Sequence, residues 1–162
     1  MQKISPTPSV RFFFFFSMST LRLQLHYLDM PVPQRAHPKD VGLDLTAMAA
    51  ESHNERLFFI DTGVSVEPPE GFYVEVVARS SLSKTDFILA NSVGIIDPDY
   101  RGRIRLALRY LGKGSGVEAA AELIGRRVAQ LILRRREEAT VEVVSELGET
   151  IRGIGGFGSS GS

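Results

Sequence analysis

The chain has no cysteine and no net charge, and its three histidines are scattered. Nineteen Lys and Arg residues balance nineteen Asp and Glu residues. The missing cysteine excludes a disulfide framework, a thiolate metal site and a cysteine nucleophile. His26, His37 and His53 lack the spacing of metal ligands. Zero net charge argues against broad capture of nucleic acid or an anionic membrane, so we expect neither as a partner, and any bound anion must be met by local arginines.

The beginning of the chain differs in composition from the remainder. Residues 1–17 contain Lys3 and Arg11, no acid, and five consecutive phenylalanines at 12–16. This run is too short to span a bilayer, and it falls short of the roughly 7–15 apolar residues of a secretory signal. We expect residues 1–18 to be a disordered or artefactual extension and the protein to be cytoplasmic. Organelle targeting by the acid-free basic segment is the alternative.

Short apolar runs separated by turn residues dominate the rest of the chain, which at 162 residues is long enough for one compact domain. The clearest run is 103–110, where apolar residues alternate with mostly basic ones. Further strands are predicted at 21–27, 42–47, 56–60, 62–67, 72–78, 87–90, 127–133 and 140–145. Only 80–84, with Ser80 as its cap, and 117–124 have helical character. The pattern predicts one all-β domain over 19–148, a sandwich, jelly roll or barrel with at most one short helix.

The most informative segment is the turn-rich stretch 91–102, which reads NSVGIIDPDYRG. It carries two acids, a tyrosine and an arginine between apolar runs. A sharp reversal frees side chains from the alternation of the flanking strands, so we expect Asp97 and Tyr100 to point into one pocket. A carboxylate beside an aromatic ring suits a small ligand that is flat and polar. Asp97 is also well placed for an Asx turn, which is the purely structural alternative.

The glycine-rich end of the chain matches the pattern G-x-G-x-x-G, but a dinucleotide fingerprint has to follow a strand and open a helix. We expect residues 149–162 to form a mobile arm instead. Arg152, Ser159 and Ser160 can wrap a phosphate, and Phe157 can cap a flat base. A disordered glycine and serine tail is the alternative.

Five segments of this sequence, in order, resemble the five motifs of the trimeric dUTP diphosphatases (dUTPases). Each string alone is weak evidence, but five in the expected order, across a chain of suitable length, are specific. The resemblance covers residues 21–161. The five segments are VGLDLTA at 41–47, ARSSL at 78–82, NSVGIIDPDYRG at 91–102, GRRVAQLI at 125–132 and RGIGGFGSSG at 152–161.

The resemblance implies a jelly-roll homotrimer with active sites shared between subunits, which hydrolyses dUTP to dUMP and pyrophosphate. By its match, Asp97 is the general base that activates water for attack on the α-phosphorus. Asn91 and the backbone around Gly94 read uracil, Tyr100 packs on the deoxyribose, and Phe157 stacks on the base. The phosphate contacts implied are Arg79, Ser80, Ser81, Gln130, Arg152, Ser159 and Ser160.

The implied cofactor is Mg²⁺, held mainly by phosphate oxygens and waters. Asp44 matches the motif-one acid that touches this ion through water, and a structural hydrogen bond at a strand end is the alternative. One departure stands out: motif four commonly has an acid where this chain has Arg126, so the contact of that acid is absent or reversed.

Two other functions are compatible with parts of the pattern. The dCTP deaminases of the same superfamily share related elements, but they carry a glutamate in the strand after the turn, where this chain has Ala107, which cannot move a proton. A binding protein that senses dUTP without hydrolysing it is the non-enzymatic alternative, and the retained Asp97 argues against it.

Overall fold

The computed structural model describes residues 19–156. The predictions for residues 1–18 and for Phe157, Ser159 and Ser160 lie outside this range. Ten strands and two short helical segments build the described part of the chain, which confirms the all-β prediction. The strands are β1 (Arg22–Leu25), β2 (Leu43–Thr46), β3 (Ala49–Asn54), β4 (Leu57–Asp61), β5 (Val64–Glu67), β6 (Phe72–Ala78), β7 (Phe87–Leu89), β8 (Val93–Ile96), β9 (Arg105–Tyr110) and β10 (Arg127–Arg135).

The strands form two four-stranded antiparallel sheets and one two-stranded pair. One sheet has the order β2-β10-β6-β8 and the other has the order β3-β4-β9-β7, while β1 pairs with β5. Every strand pairing is antiparallel. The helical segments are a 3₁₀ turn at Ser80–Lys84 and the helix α1 at Val117–Ala121. Among the described residues, no helix is long and apolar enough to cross a membrane.

Both four-stranded sheets contribute to a single hydrophobic core. In β9 the buried residues alternate with exposed or half-buried ones, as expected for a strand with one face inward. Their burial supplies the main stabilisation, since each fully buried aliphatic side chain contributes about 1.5–3 kcal/mol. The largest fully buried side chains are Phe58, Leu45, Ile60, Ile104, Leu108, Leu131, Val64, Val66, Val74 and Val76.

The structure differs from the sequence prediction in four places. β3 was not predicted, because its sequence AAESHN is mostly polar and its last four residues are exposed at a sheet edge. β8 lies inside the segment predicted to be a turn. The prediction of a strand at 140–145 was wrong, because that segment is exposed and pairs with no described strand. Ser80 does not cap the 3₁₀ turn; Arg79 precedes it, without a side-chain cap.

A tight turn between β4 and β5 depends on Gly63. Its φ of +68° lies in the left-handed region, and a Cβ added there would lie 2.5 Å from Cδ2 of Tyr27. Gly71 also has a positive φ, +76°, but a Cβ there would meet no atom within 4 Å. The two glycines therefore share a backbone requirement, and only Gly63 also needs the space.

We expect Gly63→Ala to destabilise the protein more than Gly71→Ala. The left-handed backbone alone costs an alanine about 1 kcal/mol, and displacing the Tyr27 ring adds about 1–3 kcal/mol at Gly63 only. Urea unfolding of both variants at one protein concentration measures the difference. Equal losses of unfolding free energy would show that the Tyr27 ring moves aside without cost.

Candidate active site

A buried carboxylate, Asp44, ties together three segments of the first sheet. Asp44 on β2 is 5% exposed and lies opposite Gln130 in the β2-β10 register. Its Oδ1 accepts from Arg79 Nε at 2.9 Å and from Gln130 Nε2 at 3.1 Å. Its Oδ2 accepts from Arg127 Nη1 at 3.0 Å. We call these four residues the Asp44 cluster.

Local backbone features bring the members of this cluster together. A Cβ on Gly42 would lie 2.8 Å from Cβ of Gln130, so the glycine lets that side chain lie against β2. Arg79 directly follows β6, and its N–H donates to the Val128 carbonyl at 3.1 Å. A β-bulge between Arg127 and Ala129 shifts the pairing of β10 with β2. These contacts fix the arginine side chains on one carboxylate.

The Asp44 cluster carries two positive charges and one negative charge, so it favours an anion. Ser80 and Ser81 begin the 3₁₀ turn next to Arg79, and both are exposed. Arg127 was not predicted as a site residue. Residues 127 and 130 lie three apart and would face opposite sides of a regular strand, and only the bulge, which the sequence does not signal, changes this.

For Asp44, the geometry supports the structural interpretation over the metal one. Three donors already occupy the carboxylate, and two of them are cations that repel a metal ion. Across residues 19–156, no three acidic or histidine side chains cluster as metal ligands. The side chains in this range therefore do not fit a protein cage for Mg²⁺.

The turn between β7 and β8 presents Asn91. Ser92 has a φ of +60°, which is uncommon for a residue other than glycine, and the Val93 N–H donates to the Asn91 carbonyl at 2.6 Å. A Cβ on Gly94 would lie 3.7 Å from Nδ2 of Asn91. Gly94 therefore lies beside the Asn91 amide, and the two can present backbone and side-chain polar groups together.

Asp97 and Tyr100 line one cleft of about 170 Å³ at the end of β8. The Tyr100 N–H donates to the Asp97 carbonyl at 3.1 Å and closes the turn between them. The Tyr100 ring is 45% exposed, and its hydroxyl donates to the Arg103 carbonyl at 3.2 Å. A Cβ on Gly102 would lie 2.5 Å from Cζ of Tyr100, so only glycine allows this ring position.

The predicted site residues form two groups at opposite ends of one strand pair. The β6-β8 register runs from Val77 opposite Val93 to Val74 opposite Ile96, about 10 Å of strand. Arg79 and Asn91 lie at one end, and Asp97 lies at the other. Among the described residues, no hydrogen bond or ion pair joins Arg152 to either group, and its Nε donates within the tail to the Gly155 carbonyl at 2.9 Å.

Comparison with known proteins identifies the family. The dUTPase family model matches residues 29–161. The chain is 36% identical over 137 residues to the deoxyuridine 5'-triphosphate nucleotidohydrolase of Rhodococcus erythropolis, which covers 82% of this chain and 80% of that protein. It is 47% identical over 104 residues to the Escherichia phage T5 enzyme of the same name, a match that covers 64% of this chain and 68% of that protein. This chain belongs to the dUTPase family.

Solved dUTPases have the same fold. A variant of the Staphylococcus bacteriophage 80alpha dUTPase, solved with dUpNHpp, superposes with a TM-score of 0.72 at 23% identity, and covers 88% of this chain and 99% of that one. A variant of the dUTPase from phage phi11 of S. aureus, whose structure describes the coordination of a structural Mg(II) ion, superposes with a TM-score of 0.65 at 20% identity. The match covers 80% of this chain and 99% of that one. The jelly-roll prediction is thereby confirmed.

We expect Asp44→Asn to destabilise this dUTPase by about 2 kcal/mol, because the neutral amide weakens charge-assisted bonds from Arg79 and Arg127. Glu67→Gln is the matched control, since the Glu67 pair with Arg22 is exposed and is expected to contribute at most about 0.5 kcal/mol. Urea unfolding of both variants at one protein concentration tests this. Similar losses for the two variants would contradict a structural role of the Asp44 cluster.

Proposed function

We propose that this protein hydrolyses dUTP to dUMP and pyrophosphate, supplying dUMP for dTMP synthesis and keeping uracil out of DNA. The observation that carries the proposal is the family match over residues 29–161, which includes the cleft lined by Asp97 and Tyr100. The curated relatives from Rhodococcus erythropolis and phage T5 carry the name of this activity.

Asp97 is the general base of the proposed reaction. It orients a water molecule and accepts its proton as the oxygen attacks the α-phosphorus, and the bond to the pyrophosphate leaving group breaks. Its carboxylate lines an open cleft and belongs to an exposed residue, so water and substrate reach it.

The Asp44 cluster supplies the phosphate contacts in this proposal. Arg79 and Gln130 are held in fixed positions by the same carboxylate, so little side-chain entropy is lost when they bind an anion. Ser80 and Ser81 add hydroxyl donors from the adjacent 3₁₀ turn. We assign Arg152, Ser159 and Ser160 to the same task, as parts of an arm over 149–162 that closes on the bound nucleotide.

The base and the sugar are selected at the β8 hairpin and its following turn. The Asn91 amide and the backbone around Gly94 lie side by side and suit the polar edge of uracil, and a site that pairs uracil leaves polar groups unpaired with cytosine. The Tyr100 ring packs on the deoxyribose and excludes a 2′-hydroxyl. Phe157 stacks on the base when the arm closes.

Mg²⁺ accompanies the substrate in this proposal. A triphosphate carries several negative charges, and Mg²⁺ commonly binds phosphate oxygens while it keeps several waters. When bound it neutralises charge on the phosphates. Because Asp44 is occupied by its arginine and glutamine donors, we place the ion on the nucleotide and assign Asp44 to holding those donors.

We further propose that the protein is a homotrimer with shared active sites. In one chain about 10 Å of strand separates Asp97 from the Arg79 end, although both act on the same phosphates in the proposed reaction. A second copy supplies the missing group. The extended segment after β10 supports self-association, since it exposes Val141, Val143 and Leu147 by 92%, 93% and 87%.

The structure supports hydrolysis over deamination at this site. Ala107 lies within β9, opposite Phe59 of β4, at the place where the deaminases carry their glutamate. A methyl group cannot transfer a proton to the base ring. The cleft therefore has one acid suited to activating water and none in that strand suited to deamination.

We expect Asp97→Asn to lower the rate of pyrophosphate release from dUTP at least about 100-fold, because the amide accepts no proton from water. Asp99→Asn is the matched control in the same turn and is expected to stay near the wild-type rate. The assay follows pyrophosphate release from dUTP, dCTP, dTTP and UTP, with Mg²⁺ and after chelation by EDTA.

In this assay, release confined to dUTP, dependent on Mg²⁺ and lost only in Asp97→Asn, supports the proposal. Tight binding of dUTP by the wild type without release would contradict it in favour of a sensor. Ammonia release from dCTP would contradict it in favour of a deaminase.

Shared active sites predict complementation between two inactive variants. We expect Asp97→Asn and Arg79→Gln, each inactive alone, to regain about one quarter of wild-type activity when co-expressed in equal amounts, because random assembly joins intact groups from two chains. Two differently tagged copies of Asp97→Asn are the negative control. A purified mixed oligomer without activity would show that both residues act from one chain.

A further inference from the structure

Asp61 is a second buried carboxylate, and it has no part in the reaction proposed for this protein. It ends β4, is 8% exposed, and binds three groups. Its Oδ1 accepts from the Gly63 N–H at 2.8 Å. Its Oδ2 accepts from Arg103 Nη1 at 2.8 Å and from the Tyr27 hydroxyl at 3.1 Å.

The peptide group between Arg103 and Ile104 is held on both of its sides. Its N–H, from Ile104, donates to the Val64 carbonyl at 2.8 Å. Its carbonyl, from Arg103, accepts from the Tyr100 hydroxyl at 3.2 Å. The orientation of this one peptide therefore sets where the Tyr100 hydroxyl is bound.

Asp61 reaches this peptide by two routes. Its ion pair holds the Arg103 side chain, which lines the same cleft as Asp97 and Tyr100. Its bond to the Gly63 N–H shapes the turn that presents the Val64 carbonyl. One buried carboxylate thus fixes both the residue that carries the acceptor carbonyl and the turn that orients the peptide.

Tyr100 depends on such support, because its own segment has little regular structure. The chain between β8 and β9 belongs to no strand. Gly102 leaves room for the Tyr100 ring but has no side chain that could pack on it. The Tyr100 ring is half exposed. Its hydroxyl bond to the Arg103 carbonyl gives the ring a directional contact, in addition to the close approach of the Gly102 backbone.

We propose that Asp61 is a positioning residue for Tyr100 and, through the Asp61–Arg103 ion pair, contributes to discrimination between deoxyribose and ribose. The inference rests on the proposed function, in which the Tyr100 ring packs on the sugar. A fixed ring leaves no room for a 2′-hydroxyl. A ring that tilts away admits UTP, so the loss of Asp61 raises UTP turnover relative to dUTP turnover.

The test compares kcat/KM for dUTP and for UTP in Asp61→Asn and Arg103→Gln. In each, we expect the dUTP to UTP ratio to fall roughly fivefold, the scale set by one lost hydrogen bond. Glu51→Gln is the matched control, because it also frees an arginine that lines the cleft, Arg105, but not the arginine whose carbonyl binds Tyr100. Its ratio is expected to stay at the wild-type value.

This ratio separates positioning from stability. A variant that only unfolds more readily loses turnover of both nucleotides in proportion, and the ratio stays constant. An unchanged ratio in Asp61→Asn would therefore overturn the inference. Fully additive effects in the double variant of Asp61 and Arg103 would also overturn it. If the two residues act through one ion pair, the dUTP to UTP ratio in the double variant is expected to fall no further than in the more affected single variant.

A spectroscopic arm tests the positioning without relying on turnover. The chain has four tyrosines, so ¹³C-labelled tyrosine gives few ring signals, and Tyr100→Phe assigns the one of interest. We expect the Tyr100 ring signal to shift or broaden in Asp61→Asn and to stay unchanged in Glu51→Gln. An unmoved signal overturns the positioning role, whereas a wild type that releases no pyrophosphate from dUTP overturns the proposed function instead.

Discussion

The ion pairs of the Asp44 carboxylate are the contacts on which the proposed phosphate-binding side of the site depends. One buried acid holds Arg79, Arg127 and Gln130, which come from the end of β6 and from β10. A buried charge is tolerated only when ion pairs and hydrogen bonds compensate for its lost hydration, and the side chains that form them lose conformational freedom. The strands that build the core therefore also arrange the charges that meet an anion.

The antiparallel register of β6 and β8 then determines where the other predicted site residues lie. The β6-β8 pairing carries Asn91 to the end of the sheet where Arg79 lies, and it carries Asp97 to the other end. Beyond Asp97, the segment that returns to β9 is irregular, and it takes its order from contacts with Asp61 and Val64. The regular strands thus fix the distances between the predicted site residues, while the buried carboxylates Asp44 and Asp61 hold side chains at the strand ends and in the segment before β9.

Sequence patterns were sufficient where one face of a strand is buried and the motif is contiguous. The bounds of β6 were predicted to the residue, and Asp97 and Tyr100 were picked out from their turn. Polar β3 lacks the alternation on which such a prediction depends. Arg127 and Asp61 were missed because a bulge and long-range ion pairs, 83 residues apart for Arg127 and Asp44, give no local signal.

The exposed segment after β10 has a consequence for how the protein behaves on dilution. Valines held in water gain nothing from folding of the single chain, so in the proposed homotrimer any stabilisation from covering them is gained only when copies meet. A contact of that kind makes stability depend on protein concentration by mass action. Newly made chains at low abundance would then carry an apolar segment that is open to proteases and to misdirected association until enough copies accumulate.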